Sequence, residues 1–336
     1  MRKTIIVLAV VMQLAVLIYM AGEREYILRN GRVINLRTAP VDPRDIFRGD
    51  YVRLNYEISR IPAASLQDEK TAVIANGEKV YVSLEETENG LYEFRDVSKE
   101  SPGDGIYLAG RSPYEYQYRR SGYPLTLNYG IEAYFVQQGK GREIEKRLGA
   151  RNQVQIPLEM QIAVGGNGKA VIKGHRWSPL GIGLQFLRTV PANPQLQPGP
   201  ASAKVALTLA NASDAPLALV VLPGDCSFSL EPAQFARKQW LPANDPCDSF
   251  QPHDSDVLVL QPGAEKIFEF DFSDERWLVR AEGTPPVEIG TLDWSERFRL
   301  VYHPPSEAAC RNLHSRDLIW HGYLPSRAFH GRGRID

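Results

Sequence analysis

The chain lacks an excess of either charge. Its 39 Lys and Arg residues balance 40 Asp and Glu residues, for a formal net charge of −1. Without a global basic field, nucleic acid is excluded as a primary partner. Motifs for metal and phosphate are absent too. Neither Cys-x-x-Cys nor His-Glu-x-x-His occurs. The late histidines, His303, His314, His321 and His330, match no zinc spacing. The glycine run at 165–168 is not followed by Lys-Ser or Lys-Thr and opens no helix, so it reads as a hairpin turn rather than a phosphate loop. No cofactor and no metal is expected. His253-Asp254-Ser255-Asp256 holds every residue type of a hydrolase triad. Triads converge from distant segments, so this adjacency carries no catalytic weight.

Cysteine is scarce, with Cys226, Cys247 and Cys310 all in the second half. Three cysteines allow three single-bridge pairings, and spacing alone does not choose among them. Cys226 and Cys247 both sit among Pro, Asp and Ser, as facing loops would. They are the expected pair, with Cys310 free. Closing that loop stabilises by roughly 3 kcal/mol in the chain-entropy model.

One long apolar run is present, at residues 4–20, broken only by Thr4 and Gln13 and preceded by Arg2 and Lys3. A span needs about 20 apolar residues, with a range near 17–25. Signal-peptide cleavage wants small residues at −3 and −1. Cleavage after Ala21 or Gly22 would put Tyr19 or Met20 at −3, both too large. Residues 1–22 therefore read as an uncleaved anchor. Basic flanks stay cytoplasmic, which puts the C-terminal body on the exported side.

The remainder is ordinary globular sequence, 43% hydrophobic and 24% charged. Its length suits about two domains. Residues 26–36 carry a hairpin signal around Asn30-Gly31. The stretch at 38–56 holds Pro40, Pro43, Asp42, Asp45, Gly49, Asp50 and Tyr51 before an alternating run in which Val52 and Leu54 face inward. It reads as a loop, a tight glycine turn, then a strand. Asp50 reads as a turn former, with an exposed acid in a binding site as the alternative. Short strands follow at 72–74, 79–84, 91–94 and 105–110. Tyr114, Tyr116 and Tyr118 lie at spacing two, as a packing face would. Residues 125–136 read as one longer strand. A helix at 141–149 has acid early and base late. Strands at 154–164 and 169–173 close the half.

The string G-D-Y-V-R-L-N-Y (49–56) resembles the bacterial family named for its GDYXXLXY motif. The lead-in P-V-D-P-R-D-I-F-R, I-Y-L-A-G-R (106–111), Y-G-I-E-A-Y-F-V (129–136), G-R-E-I-E (141–145) and G-K-A-V-I-K-G (168–174) recur in the family's order. The resemblance covers residues 1–175. It implies a membrane-tethered small domain of unknown biochemical activity, often encoded beside multi-pass membrane proteins, hence an integral membrane partner. It supplies no catalytic residue. Asp42, Asp45, Gly49, Asp50, Tyr51, Leu54 and Tyr56 are the candidate interaction residues.

Pro191, Pro194, Pro198 and Pro200 mark a linker within 177–202. Regular short strands over 203–310 suggest an immunoglobulin-like β-sandwich. Residues 311–336 read as a peripheral basic and aromatic tail. The expectation is a mostly β protein with an N-terminal transmembrane helix, a GDYXXLXY domain at 23–176 and a sandwich. It is held in the bacterial inner membrane with its body in the periplasm. Its expected role is a non-enzymatic accessory or scaffold subunit. The alternative is a serine-lysine peptidase related to signal peptidases, which share a short N-terminal span, a β-rich body and a Gly-Asp turn. Against it, the nearest hydroxyl before the turn is Thr38 and Lys79 sits beside a turn, so nucleophile and base lack their context.

Overall fold

The computed structural model describes residues 2–39, 51–66, 68, 70–118, 124–137, 140–148, 153–187, 204–233, 240–244, 247, 250–281, 283–293 and 296–335. The chain is mostly β, in antiparallel sheets, behind one long apolar helix.

That helix, α1, runs from Arg2 to Asn30. It is long and apolar enough to cross a membrane. The hairpin expected over 26–36 does not form. Residues 26–30 stay helical, and Gly31 ends the helix with its N–H on the Ile27 carbonyl at 2.7 Å. The reason is cooperative. A helix already nucleated upstream adds each further residue cheaply, whereas a hairpin would have to start anew. At 29 residues the helix is roughly 43 Å long, which exceeds a hydrocarbon core of roughly 30 Å. Its last turns therefore reach the body. Ile27 is buried there, and Lys169 pairs with Glu23 at 2.6 Å.

The first unit is built on two sheets. One has the order Ala170–Trp177, Leu158–Val164, Arg32–Ala39, Asn55–Tyr56. The other has the order Tyr92–Ser98, Lys79–Glu86, Ile106–Arg111. Ile34, Leu36, Met160 and Ile162 from the first share one core with Val80, Val82 and Leu108 from the second. The long strand expected over 125–136 is two short ones, Leu125–Thr126 and Ala133–Phe135, separated by a turn in which Gly130 has φ +81°. The tyrosine row is also broken. Tyr116 is in the core while Tyr114 is exposed, so the three rings do not line one face.

In the second unit, Leu180–Phe186, Lys204–Asn211 and Glu265–Asp271 form one sheet. Across a shared core lies the sheet of Phe228–Pro232 and Phe298–Tyr302, joined by Leu324–Pro325, Phe329–His330 and Arg334–Ile335. Leu207, Phe270 and Phe272 from one side meet Phe228, Phe298 and Phe329 from the other. The Phe272 and Phe329 rings stack with centroids 5.5 Å apart. Val257–Leu260 pairs with Leu217–Val220, not with the strand that follows it, so the chain crosses between sheets at Gly263. Cys226 and Cys247 are joined, and Cys310 is free and buried.

Two expected boundaries move. Leu180–Phe186, expected in a linker, pairs with Lys204–Asn211 along its whole length. Residues 188–202 of that linker lie outside the described residues. Residues 311–335 are no peripheral tail, because Trp320, Leu324, Phe329 and His330 are buried in the second unit. Scattered apolar residues among basic ones look like a tail along the chain. Only the partner strand Phe298–Tyr302 gives them a face to cover.

The two units meet closely. Gln155 and Ile182 exchange backbone hydrogen bonds at 2.8 and 2.9 Å. Gly181 and Gly183 lie against Val154, where a Cβ at Gly181 would come within 2.8 Å of a Val154 methyl. Arg299 of the second unit pairs with Glu57 of the first at 3.3 Å.

Candidate functional site around the motif strand

Tyr51–Arg53 pairs antiparallel with Ala133–Phe135, in the register Tyr51 to Phe135 and Arg53 to Ala133. Leu54 N–H extends this pairing to the Glu132 carbonyl at 2.8 Å. Val52, Leu54 and Tyr56 face inward, as the alternation requires, and all three are buried. The helix Lys140–Leu148, α2, follows and packs its first turn over this strand pair, with Gly141 beside the Val52 and Val136 methyls.

Two buried tyrosines fasten the motif strand to the turn after it. Tyr56 donates its hydroxyl to the Ile131 carbonyl at 2.9 Å, and Tyr129 donates to the Ile58 carbonyl at 2.6 Å. Each ring thus bonds the backbone next to the other. Burial, reinforced by the Glu132 carboxylate, pushes both hydroxyls well above the ordinary tyrosine range, so they remain protonated donors. Glu132 itself closes the turn by accepting the Gly130 N–H at 3.0 Å.

Beside the strand pair lies an aromatic and cationic groove of about 490 Å³, lined in part by Tyr134, Phe135, Lys140, Arg147, His175 and Trp177. The Tyr134 hydroxyl meets His175 Nδ1 at 3.0 Å, and the Arg147 guanidinium sits 4.9 Å from the Trp177 ring centre. Partial burial, helped by Arg147, pulls His175 below its usual pKa, which favours the neutral ring. Phe135 is 76% exposed at the rim. Such a groove can hold an apolar or aromatic side chain next to an acidic group on a partner.

A family model described as GDYXXLXY protein matches residues 13–174. Residues 13–174 belong to the GDYXXLXY family. No curated protein and no solved structure matches the chain.

Within the GDYXXLXY motif, the structure divides the candidate residues. Leu54 and Tyr56 are core residues, turned away from any partner, which corrects their candidacy as contacts. A leucine and a tyrosine at spacing two on an inward strand face are buried by the sheet's pleat. Tyr51 is described through its backbone pairing. Asp42, Asp45, Gly49 and Asp50, and with them the tight turn, lie outside the described residues.

Sequence reasoning missed the Arg147, His175 and Trp177 grouping. Helix and strand bring those residues together across a long separation, and no local pattern marks it. Glu132 was findable, since an acid two residues past a turn glycine is placed to accept that turn's amides.

The other sequence candidates are engaged elsewhere. Thr38 is buried and donates its hydroxyl to the Leu158 carbonyl at 2.8 Å. The Lys79 ammonium lies 4.6 Å from the centre of the Tyr81 ring. Asp256 accepts the His253 N–H at 2.9 Å, which makes the 253–256 tetrapeptide a capped turn. Asp254 reaches instead to His314, accepting its N–H at 2.8 Å and contacting its ring. Among the described residues, no group of three His, Cys, Asp or Glu side chains converges as a metal site.

Proposed function

We propose that the protein is a membrane-anchored accessory or scaffold subunit of the bacterial cell envelope. Its anchor stays attached in the inner membrane, its body stands in the periplasm, and it works by binding an integral membrane protein without catalysing a reaction. The observation that carries this reading is the unbroken passage of α1 into the body. One helix leaves the apolar segment, buries Ile27, pairs Glu23 with Lys169 and ends on the first strand of the sheet. Such a joint fixes the body's height and orientation at the membrane surface. A signal peptide needs no such joint, because cleavage discards the helix.

The motif-side groove is the contact surface in this reading. It combines an exposed Phe135 with the Arg147 cation and the Lys140–Glu143 ion pair. The hydroxyl, imidazole and carboxylate groups considered for catalysis are held in turns, caps and carbonyl contacts, which supports a binding role.

The test uses full-length protein in its native membrane. A photocrosslinking residue replacing Phe135 should capture a multi-pass membrane protein, and one replacing Ile267, also an exposed apolar residue but of the second unit, should not. Mature protein beginning near Ala21, or identical capture from both positions, would overturn the proposal. Covalent labelling by a serine-hydrolase probe would bring back the peptidase.

A further inference from the structure

A second opening lies between the two units and meets the motif-side groove at Trp177. It measures about 1110 Å³. The first unit contributes Glu88 and Asn89 together with Arg176 and Trp177 at the end of a sheet strand. The second contributes Glu307, Arg311, Arg316 and Trp320. Neither unit alone makes it.

Its walls are braced. Glu159, opposite both Arg37 and Arg176 in the sheet register, is 3% exposed and holds Arg176 at 2.6 Å. Arg176 also donates to the Asn89 carbonyl at 3.1 Å. Across the cleft, the Glu307 N–H donates to the Glu88 carboxylate at 3.1 Å, which ties the units together at one edge. Trp320 is stacked on Tyr302, with ring centres 5.9 Å apart. Arg311 is held by its Nε on the Ala308 carbonyl at 2.8 Å, which leaves its outer amino groups for a ligand.

The lining selects a ligand class. Three arginines face Glu88, Glu159, Glu307 and Asp317, so the charges nearly cancel. A polyanion or a polycation finds no complementary field. Charged side chains interrupt the apolar surface, so a lipid chain or an apolar helix finds no continuous face. The half-buried Trp177 indole beside planar carboxylates and guanidinium forks suits a ligand that is apolar on its ring faces and rich in hydroxyls at its edge. The volume exceeds the usual range for a small-molecule site, about 300–1,000 Å³. That favours several linked rings over one.

We propose that this cleft binds an oligosaccharide. A sugar ring lies against the half-buried Trp177, with the buried Trp320 backing the opposite wall, and the hydroxyls bond the Glu307, Arg311 and Arg176 side chains. The cleft shares Trp177 with the motif-side groove but none of the other residues that line it, so variants away from Trp177 test one opening without the other.

The experiment uses full-length protein in detergent micelles and calorimetric titration with two probes, an N-acetylglucosamine tetrasaccharide and maltotetraose. At least one should bind. Arg311→Ala and Glu307→Gln should each weaken it about tenfold, the loss of one charge-assisted hydrogen bond. Phe135→Ala, in the other groove, should leave binding unchanged. Both cleft positions are on the surface, and thermal melts of the variants should match wild type. Binding of neither tetrasaccharide overturns the proposal. Binding that both cleft variants retain at full strength also overturns it.

Discussion

Replacing Tyr56 or Tyr129 with Phe removes one hydroxyl and keeps the ring. Both rings are nearly inaccessible, at 1% and 6% exposure. Loss of a hydrogen bond costs about 0.5–1.5 kcal/mol, and a buried partner left unsatisfied costs about 1–3 kcal/mol. The Ile131 and Ile58 carbonyls keep their second lone pair, so about 1.5 kcal/mol per variant is the expected cost. For a unit of this size each kcal/mol lowers Tm by about 2–4 °C, so each variant should melt about 3–6 °C lower. The two hydroxyls clasp the same pair of segments. The first loss loosens what the second holds, and the double variant should cost less than the sum by about 0.5 kcal/mol or more. The pH dependence has a definite sign. Unfolded tyrosine titrates near 10. Burial holds both folded hydroxyls well above that. Below pH 10 both states are protonated and the stabilisation is complete. Above pH 10 the unfolded chain loses protons while the folded protein keeps them, so stability falls as pH rises. Tyr116, pushed up to about 12 by burial, acts in the same sense. The assay is thermal melting of wild type, both single variants and the double variant at pH 7.5 and 10.5. Each Phe variant should lose less than wild type between the two pH values. If both single variants melt within about 1 °C of wild type at pH 7.5, the clasp contributes nothing and the reasoning is refuted.

Reductant should lower the stability of the second unit by about 3 kcal/mol by opening the Cys226–Cys247 loop, read by its denaturant midpoint with and without dithiothreitol. Cys310 is 1% exposed and its thiol is pushed up by burial, so iodoacetamide should modify it only after denaturation. Gly322 has φ +138°, and a Cβ there would come within 2.3 Å of the Asn89 amide, so Gly322→Ala should cost about 1–3 kcal/mol. Adding Asn89→Ala should recover part of that loss in thermal melts, and no recovery would disprove the clash. Ile27→Ala should cost about 2 kcal/mol or more of first-unit stability and expose the α1 joint to limited proteolysis.

The sequence by itself determined what local chemistry can set. An apolar run with basic flanks dictates a membrane-length helix, and alternation dictates which faces of the strands turn inward. Gly168 and Gly263 mark turns that need positive φ, at +75° each. The ordered motif strings determined the family, because several specific strings in sequence leave little to chance. Tertiary structure decided everything that depends on a distant partner. Helix cooperativity carried residues 26–30 past the hairpin signal at Asn30-Gly31. Pairing with Lys204–Asn211 drew Leu180–Phe186 into the sandwich. A sheet face waiting to be covered drew in Trp320 and Phe329. The groove and the cleft are also nonlocal. Arg147 meets Trp177 only because a helix and a strand pack together, and Arg176 faces Arg311 only because the two units join. Side-chain periodicity is written into a segment a few residues at a time. Convergence of segments a hundred residues apart depends on the summed packing of the whole chain, which no short stretch encodes.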